Sequence, residues 1–231
     1  MAKKQEKKGG DILENPDALA EQLSRTETFI EQNPKLILGV ASAIALVIAA
    51  YFGFKYYIDN QNERAQSEMF QAVYYFEADS LDFALNGDGN FLGFLDIIND
   101  YKMTEAANLA NYYAGVSYMK KGNYRLAILY LEDFSSKDLL VQARAYSLIG
   151  DAYMEQQEYD NAVKYYNKAA NYKPNKHFTP GYLMKVALAY EKLDQRAKAI
   201  EAYDRIITDY WDSSEVQSAK KYKARLQDIK S

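Results

Sequence analysis

The sequence predicts an all-α chain: a single N-terminal transmembrane helix, then a solenoid of stacked helix–turn–helix units, then a closing helix. Three observations predict it. Leu36–Phe54 runs without a charge between Lys35 and Lys55. Further on, one phrase of small residue, Tyr and Ala returns three times. Only 4 prolines and 11 glycines occur in 231 residues, so long stretches carry no helix breaker.

The chain divides into a tail (1–34), the apolar helix (35–55) and a larger domain (56–231). In the tail, Met1–Gly10 is Lys-rich and expected to be disordered. Asn15-Pro16-Asp17 forms a helix start, and a short amphipathic helix runs from there to about Gln32 with Leu19, Leu23 and Ile30 on one face. Two readings stand for it: an element that lies on the inner leaflet or docks a partner, and a solvated helix with neither.

Asn33-Pro34 opens the apolar helix, Asn as cap and Pro at the first helical position. At about 1.5 Å per residue Leu36–Phe54 spans roughly the hydrocarbon core of a bilayer. Tyr51, Phe52, Phe54, Tyr56 and Tyr57 gather at its far end, as aromatic side chains do at a membrane interface. A buried core helix and a cleaved signal peptide compete with this reading. The first has a shorter apolar run, and the second starts nearer the terminus and ends in a small-residue cleavage site. Lys3, Lys4, Lys7, Lys8, Arg25 and Lys35 precede the span, which keeps the tail in the cytoplasm. The domain from 56 onward is then exported, into the periplasm of a Gram-negative cell.

Charge and composition exclude several functions. Net charge is −4, and 1–55 balances seven basic against seven acidic residues, so the whole excess lies in 56–231. An acidic domain is not a nucleic-acid binder. No cysteine is present, which removes disulfides, thiolate metal sites and Cys nucleophiles. His177 is the single histidine, so neither a multi-His metal site nor a His-based triad can form. No catalytic, cofactor-binding or metal-ligating set emerges. Asn86-Gly87-Asp88-Gly89-Asn90 alternates like a calcium loop, yet its twelfth position is Ile97 where a Glu is needed, so it reads as a glycine turn.

From Phe54 to Asn86 neither Gly nor Pro interrupts, and a helix is expected through Met69, Val73, Phe76 and Leu81, with a break near Asp59–Asn62. The recurring phrase follows. Gly115 with Tyr118, Gly150 with Tyr153, and Ala187 with Tyr190 are each followed by Ala127, Ala162 and Ala199, then by Leu131, Tyr166 and Tyr203. The small residues sit where paired helices cross, and the Tyr and Leu residues wedge between pairs. This pattern resembles the tetratricopeptide repeat. The middle copy fits best, with Tyr146, Ile149, Gly150, Tyr153, Ala162, Tyr166, Ala169 and Pro174 in the signature places. Copies are expected at about 66–102 (degenerate), 108–142, 143–179 and 180–212, with a cap at 213–230. Asp212-Ser213-Ser214-Glu215 caps that last helix; Val216, Ala219, Tyr222, Leu226 and Ile229 face inward, and Lys220, Lys221, Lys223 and Arg225 face water.

Most of the 22 tyrosines fall on packing positions, so they read as core rather than as an aromatic ligand box. In such repeats the first helix of each pair lines a groove for polypeptide. Counting from the signature places Tyr112, Val116, Met119, Lys120, Arg144, Ser147, Asp151, Met154, Glu155, Met184, Leu188 and Glu191 there. Two readings stand for the methionines: an adaptable apolar lining, and filler between helices.

A cytoplasmic tail, one signal-anchor and an exported repeat domain together resemble the YfgM-like family of translocon-associated proteins. That resemblance implies a single-pass inner-membrane protein beside the SecYEG channel and a PpiD-like chaperone. It implies a role in assisting exported client polypeptides on the periplasmic side, with no enzymatic activity and no cofactor. The Tyr-rich copies and the longer tail depart from the family. The alternatives are a scaffold for envelope assembly or cell-division machinery and an enzyme with an unrecognised site.

Overall fold

The computed structural model describes residues 16–228, all helix and connection among them. Met1–Gly10, Asn15 and Ile229 lie outside the described residues, as does the side chain of Leu19. Two compact units divide at Tyr57/Ile58.

The first unit holds α1 (Pro16–Gln32) and the start of α2 (Pro34–Glu77). Leu23 and Ile30 of α1 are exposed. Pro34 opens α2 as the sequence predicts. The Asn33 side-chain N–H donates to the Phe29 carbonyl at 3.0 Å, one of the open carbonyls at the end of α1. Among the described residues α2 is the one helix long and apolar enough to cross a membrane, judged by length and composition. Its large apolar side chains from Leu36 to Tyr57 are exposed, save the half-buried Ile37.

The second unit is a stack of helical hairpins. Residues 58–77 of α2, α3 (Leu81–Asn86) and α4 (Phe94–Asp100) begin it. Then α5 (Glu105–Lys120) pairs with α6 (Tyr124–Asp133), α7 (Leu139–Glu155) with α8 (Tyr159–Asn171), and α9 (Thr179–Lys192) with α10 (Arg196–Asp209). Finally α11 (Val216–Asp228) packs on α10. The pairs start a few residues before 108, 143 and 180. Caps set those starts: the Thr104 hydroxyl accepts from Ala107 N, and the Asp138 carboxylate accepts from Leu140 N and Val141 N. Pro180 lies in the first turn of α9.

One turn ends α2, α5, α7 and α9 alike. A residue at positive φ (Asp79, Gly122, Gln157 or Asp194) closes the helix. The amide after it then donates to the carbonyl of Tyr75, Tyr118, Tyr153 or Tyr190 at 2.8–2.9 Å. This turn breaks the helix expected to continue into α3, while Asp59–Asn62 is helical. It also sets the phase of the degenerate copy. Ala72, three residues before Tyr75, and Ala84, nine after it, are fully buried where the other copies have their small residue and alanine.

At Gly115 a Cβ would lie 2.5 Å from Leu131 Cγ, and at Gly150 one would lie 2.5 Å from Tyr166 Cδ1. Only glycine lets those helices cross so closely. Both ends of the stack are polar. Where α7 and α9 bury Ile149 and Val186, α2 has Gln71; where α9 buries Leu183, α2 has Glu68. At the other end Val216, Ala219 and Leu226 of α11 are buried. Ser213 does not cap α11: its hydroxyl is buried without a hydrogen-bond partner. Nor are Lys223 and Arg225 left to water. Lys223 pairs with Asp204 at 2.5 Å, and Arg225 pairs with Glu191, where it takes the place that Lys185 holds against Asp151 one hairpin earlier.

Candidate polypeptide-binding surface

The first helices α5, α7 and α9 bring the predicted residues into three different environments. The first is an open cleft of about 550 Å³ between their N-terminal halves. Leu109, Tyr112 and Tyr113 of α5, Leu140, Val141 and Arg144 of α7, and Phe178 and Tyr182 at the start of α9 line it. Of the predicted set only Tyr112 and Arg144 are here. Leu109 also borders a second hollow of about 390 Å³, lined with it by Gln66, Met69, Phe70 and Val73 of α2 and by Glu105 and Ala106 of α5, so the two hollows share a wall at Leu109. Burial raises the phenol pKa values of Tyr112 and Tyr182, and the Arg144 charge pulls both back down.

Farther along the helices the predicted residues serve the stack. Ser147 is buried and accepts from Lys185 Nζ at 3.0 Å. Asp151 accepts from Lys185 at 2.7 and 2.8 Å and from the Tyr166 hydroxyl at 2.7 Å. Burial and the neighbouring Asp151 charge push the Tyr166 phenol far up. Met119, Met154 and Met184 pack against core clusters, as gap-fillers between helices do. Lys120 pairs with Asp79 at 2.7 Å and lies over the Phe76 ring. Val116 is half-buried and Glu155 exposed.

The third environment is a smaller hollow of about 340 Å³ near the end of the stack, lined by Met184, Leu188, Glu191, Tyr203, Tyr222 and Arg225 with Lys185. Its charges are used internally: Glu191 accepts from the Tyr203 hydroxyl at 2.7 Å and pairs with Arg225. Burial, then that hydrogen bond, raises the Tyr203 pKa.

Counting from the signature missed Leu109, Leu140, Phe178 and Tyr182 because it ran toward the helix C-termini. A usable signal was present: large apolar residues in the first turns of α7 and α9, outside the signature places. Among the described residues no His, Cys, Asp and Glu group could hold a metal. Asp88 instead organises its turn, accepting from Tyr75 Oη, Asn90 N and Phe91 N.

Two matches to the tetratricopeptide-repeat family cover residues 112–176 and 182–213. No curated protein matches the chain. Among solved structures it is similar to TPR-like repeats from Podosopora anserina, of a protein named for kinesin light chain. Identity is 12%, TM-score 0.54, with 71% of this chain and 86% of that one covered. A single-substitution variant of those repeats gives 14%, 0.53, 71% and 85%. At that identity the likeness establishes the fold alone. Repeat phrase, hairpin geometry and family match agree: the C-terminal part of this chain is a tetratricopeptide-repeat solenoid, a protein–protein interaction module.

Proposed function

We propose that the chain is a non-catalytic, membrane-anchored capture module that serves polypeptides on the far side of the inner membrane. On this reading the apolar part of α2 spans the bilayer, the tail with its Lys-rich start stays in the cytoplasm, and the repeats hold client segments beside a Sec-type export channel and its chaperone. The two hollows that share Leu109, between Phe70 and Phe178, carry the proposal. They present exposed apolar side chains, among them Phe70, Leu109, Leu140 and Phe178. The exposed run Leu36–Phe54 supports the anchor, since an uncovered apolar helix of that length is stable in lipid and not in water.

A photo-crosslinking residue at Leu140 in native membranes tests this. Adducts with channel subunits, a membrane-bound chaperone or emerging chains are expected. Adducts confined to envelope-assembly or division proteins would assign the module to scaffolding instead. Protease added to intact spheroplasts should digest the repeats, and their protection would reverse the topology.

A further inference from the structure

Arg144 is the one charged residue among those lining the cleft between α5, α7 and α9. The stack does not need it: the corresponding places, 35 residues earlier and 37 later, carry Leu109 and Gly181. Among the described residues Arg144 has no ion pair or hydrogen bond, whereas Lys120, Lys121, Lys185, Lys223 and Arg225 are all paired. Around it lie Leu109, Tyr112, Leu140, Phe178 and Tyr182. The cleft has room for a side chain, at about 550 Å³. Arg144 is exposed at the mouth of this cleft, and a guanidinium, more weakly hydrated than an ammonium and planar, favours a carboxylate acceptor.

We propose that this cleft takes an extended peptide segment in which a single carboxylate side chain, flanked by bulky apolar residues, sits on Arg144. The inference rests on the capture reading above and adds the sequence preference. Residues 56–231 carry 25 acidic against 21 basic residues, so the domain as a whole repels strongly acidic chains. One carboxylate set among apolar residues suits one unpaired cation in an apolar cleft. A polyacidic tract does not.

The test uses the full chain in detergent and three fluorescent decapeptides. One has a central Leu-Phe-Glu-Leu, and the other two carry Gln or Lys in place of the Glu. The Glu peptide is expected to bind about tenfold tighter than the Gln peptide and the Lys peptide weakest, as one charge-assisted contact gives. Arg144→Gln should erase the Glu-over-Gln preference while leaving the weaker apolar binding. Arg144→Glu should turn the preference toward Lys. Leu140→Asp should weaken all three peptides, which fixes the binding to this cleft. Equal binding of Glu and Gln peptides by the unaltered chain overturns the inference and leaves the capture reading standing. No binding of any of the three overturns both.

Discussion

Lys185 Nζ lies 2.7 and 2.8 Å from the two carboxylate oxygens of Asp151, 34 residues earlier in the chain. The arrangement recurs one step on, where Arg225 reaches Glu191, again 34 residues back. In each case a Tyr from the second helix of the pair, Tyr166 or Tyr203, donates to the same carboxylate at 2.7 Å. One acid thus ties its own hairpin together and fastens the next one to it. Asp151→Ala should therefore cost about 1–3 kcal/mol, because it leaves the Tyr166 hydroxyl without its acceptor and Lys185 with Ser147 alone. The Asp151–Lys185 coupling alone should be smaller, about 0.5–1 kcal/mol after screening, since both side chains are about a third exposed. Urea unfolding of Asp151→Ala, Lys185→Met and the double variant measures both, and a coupling of zero would remove the clasp from the stability of the stack.

Gly150 and Gly181 make opposite predictions for the same substitution. Gly150→Ala drives a methyl to 2.5 Å from the Tyr166 ring, which its hydrogen bond to Asp151 holds in place. The overpacking cost of about 1–3 kcal/mol exceeds the gain of about 1 kcal/mol in helix propensity. Gly181→Ala meets open space and should keep that gain. The urea midpoint is thus expected to fall for the first and rise for the second.

Acid should loosen the start of α7. The Asp138 carboxyl is held below its ordinary pKa by the amides of Val141 and then Leu140. A depressed folded-state pKa contributes stability that is complete above the unfolded value, about 3.9, and is lost as pH falls through the lower folded one. Asp88 adds a similar loss, its carboxyl lowered chiefly by the Tyr75 hydroxyl and then by Phe91 and Asn90. Asp138→Asn should flatten the acid limb of unfolding midpoint against pH, while leaving the neutral-pH side of the curve without slope.

Alkali acts on the tyrosines. Burial comes first among the causes that raise the Tyr165, Tyr166 and Tyr203 phenols, each of which also donates to a carboxylate: Glu132, Asp151 and Glu191. A raised folded-state pKa gives stability that is present below the ordinary value of about 10 and lost as pH climbs beyond it. Tyrosinate absorbance from these three phenols should therefore appear only above that ordinary value, together with the collapse of helicity. Titration of all 22 in one step with helicity intact would contradict the buried donor network.

The helical class, the long apolar run and the three full hairpins are legible in residue order, because small-to-aromatic spacing repeats what one crossing of helices demands. The degenerate copy was legible too: Ala72, Tyr75 and Ala84 keep the spacing, but the adjacent Tyr74 and the Gly87–Gly93 loop obscure it. Side-chain allegiance was harder. Asp151 and Glu191 look like groove residues when counted along a helix, and only the packing of one hairpin on the next shows that Lys185 and Arg225 occupy them. Asn33 shows the same limit at short range, since its side-chain N–H serves the end of α1.

That distinction changes what a charge does at two places on α7. Met154 packs against a core cluster, so Met154→Glu puts a carboxylate into apolar packing and should cost about 1–3 kcal/mol of stability. Leu140 is 43% exposed in the wall of the cleft, so Leu140→Glu should stay within about 0.5 kcal/mol of the unaltered chain. Peptide capture should respond in the reverse order, lost with Leu140→Glu and retained by whatever fraction of Met154→Glu remains folded. Thermal unfolding and peptide binding on both variants separate the two roles. Capture that survives Leu140→Glu but fails in folded Met154→Glu would move the binding surface from the first turns of the helices to their far ends.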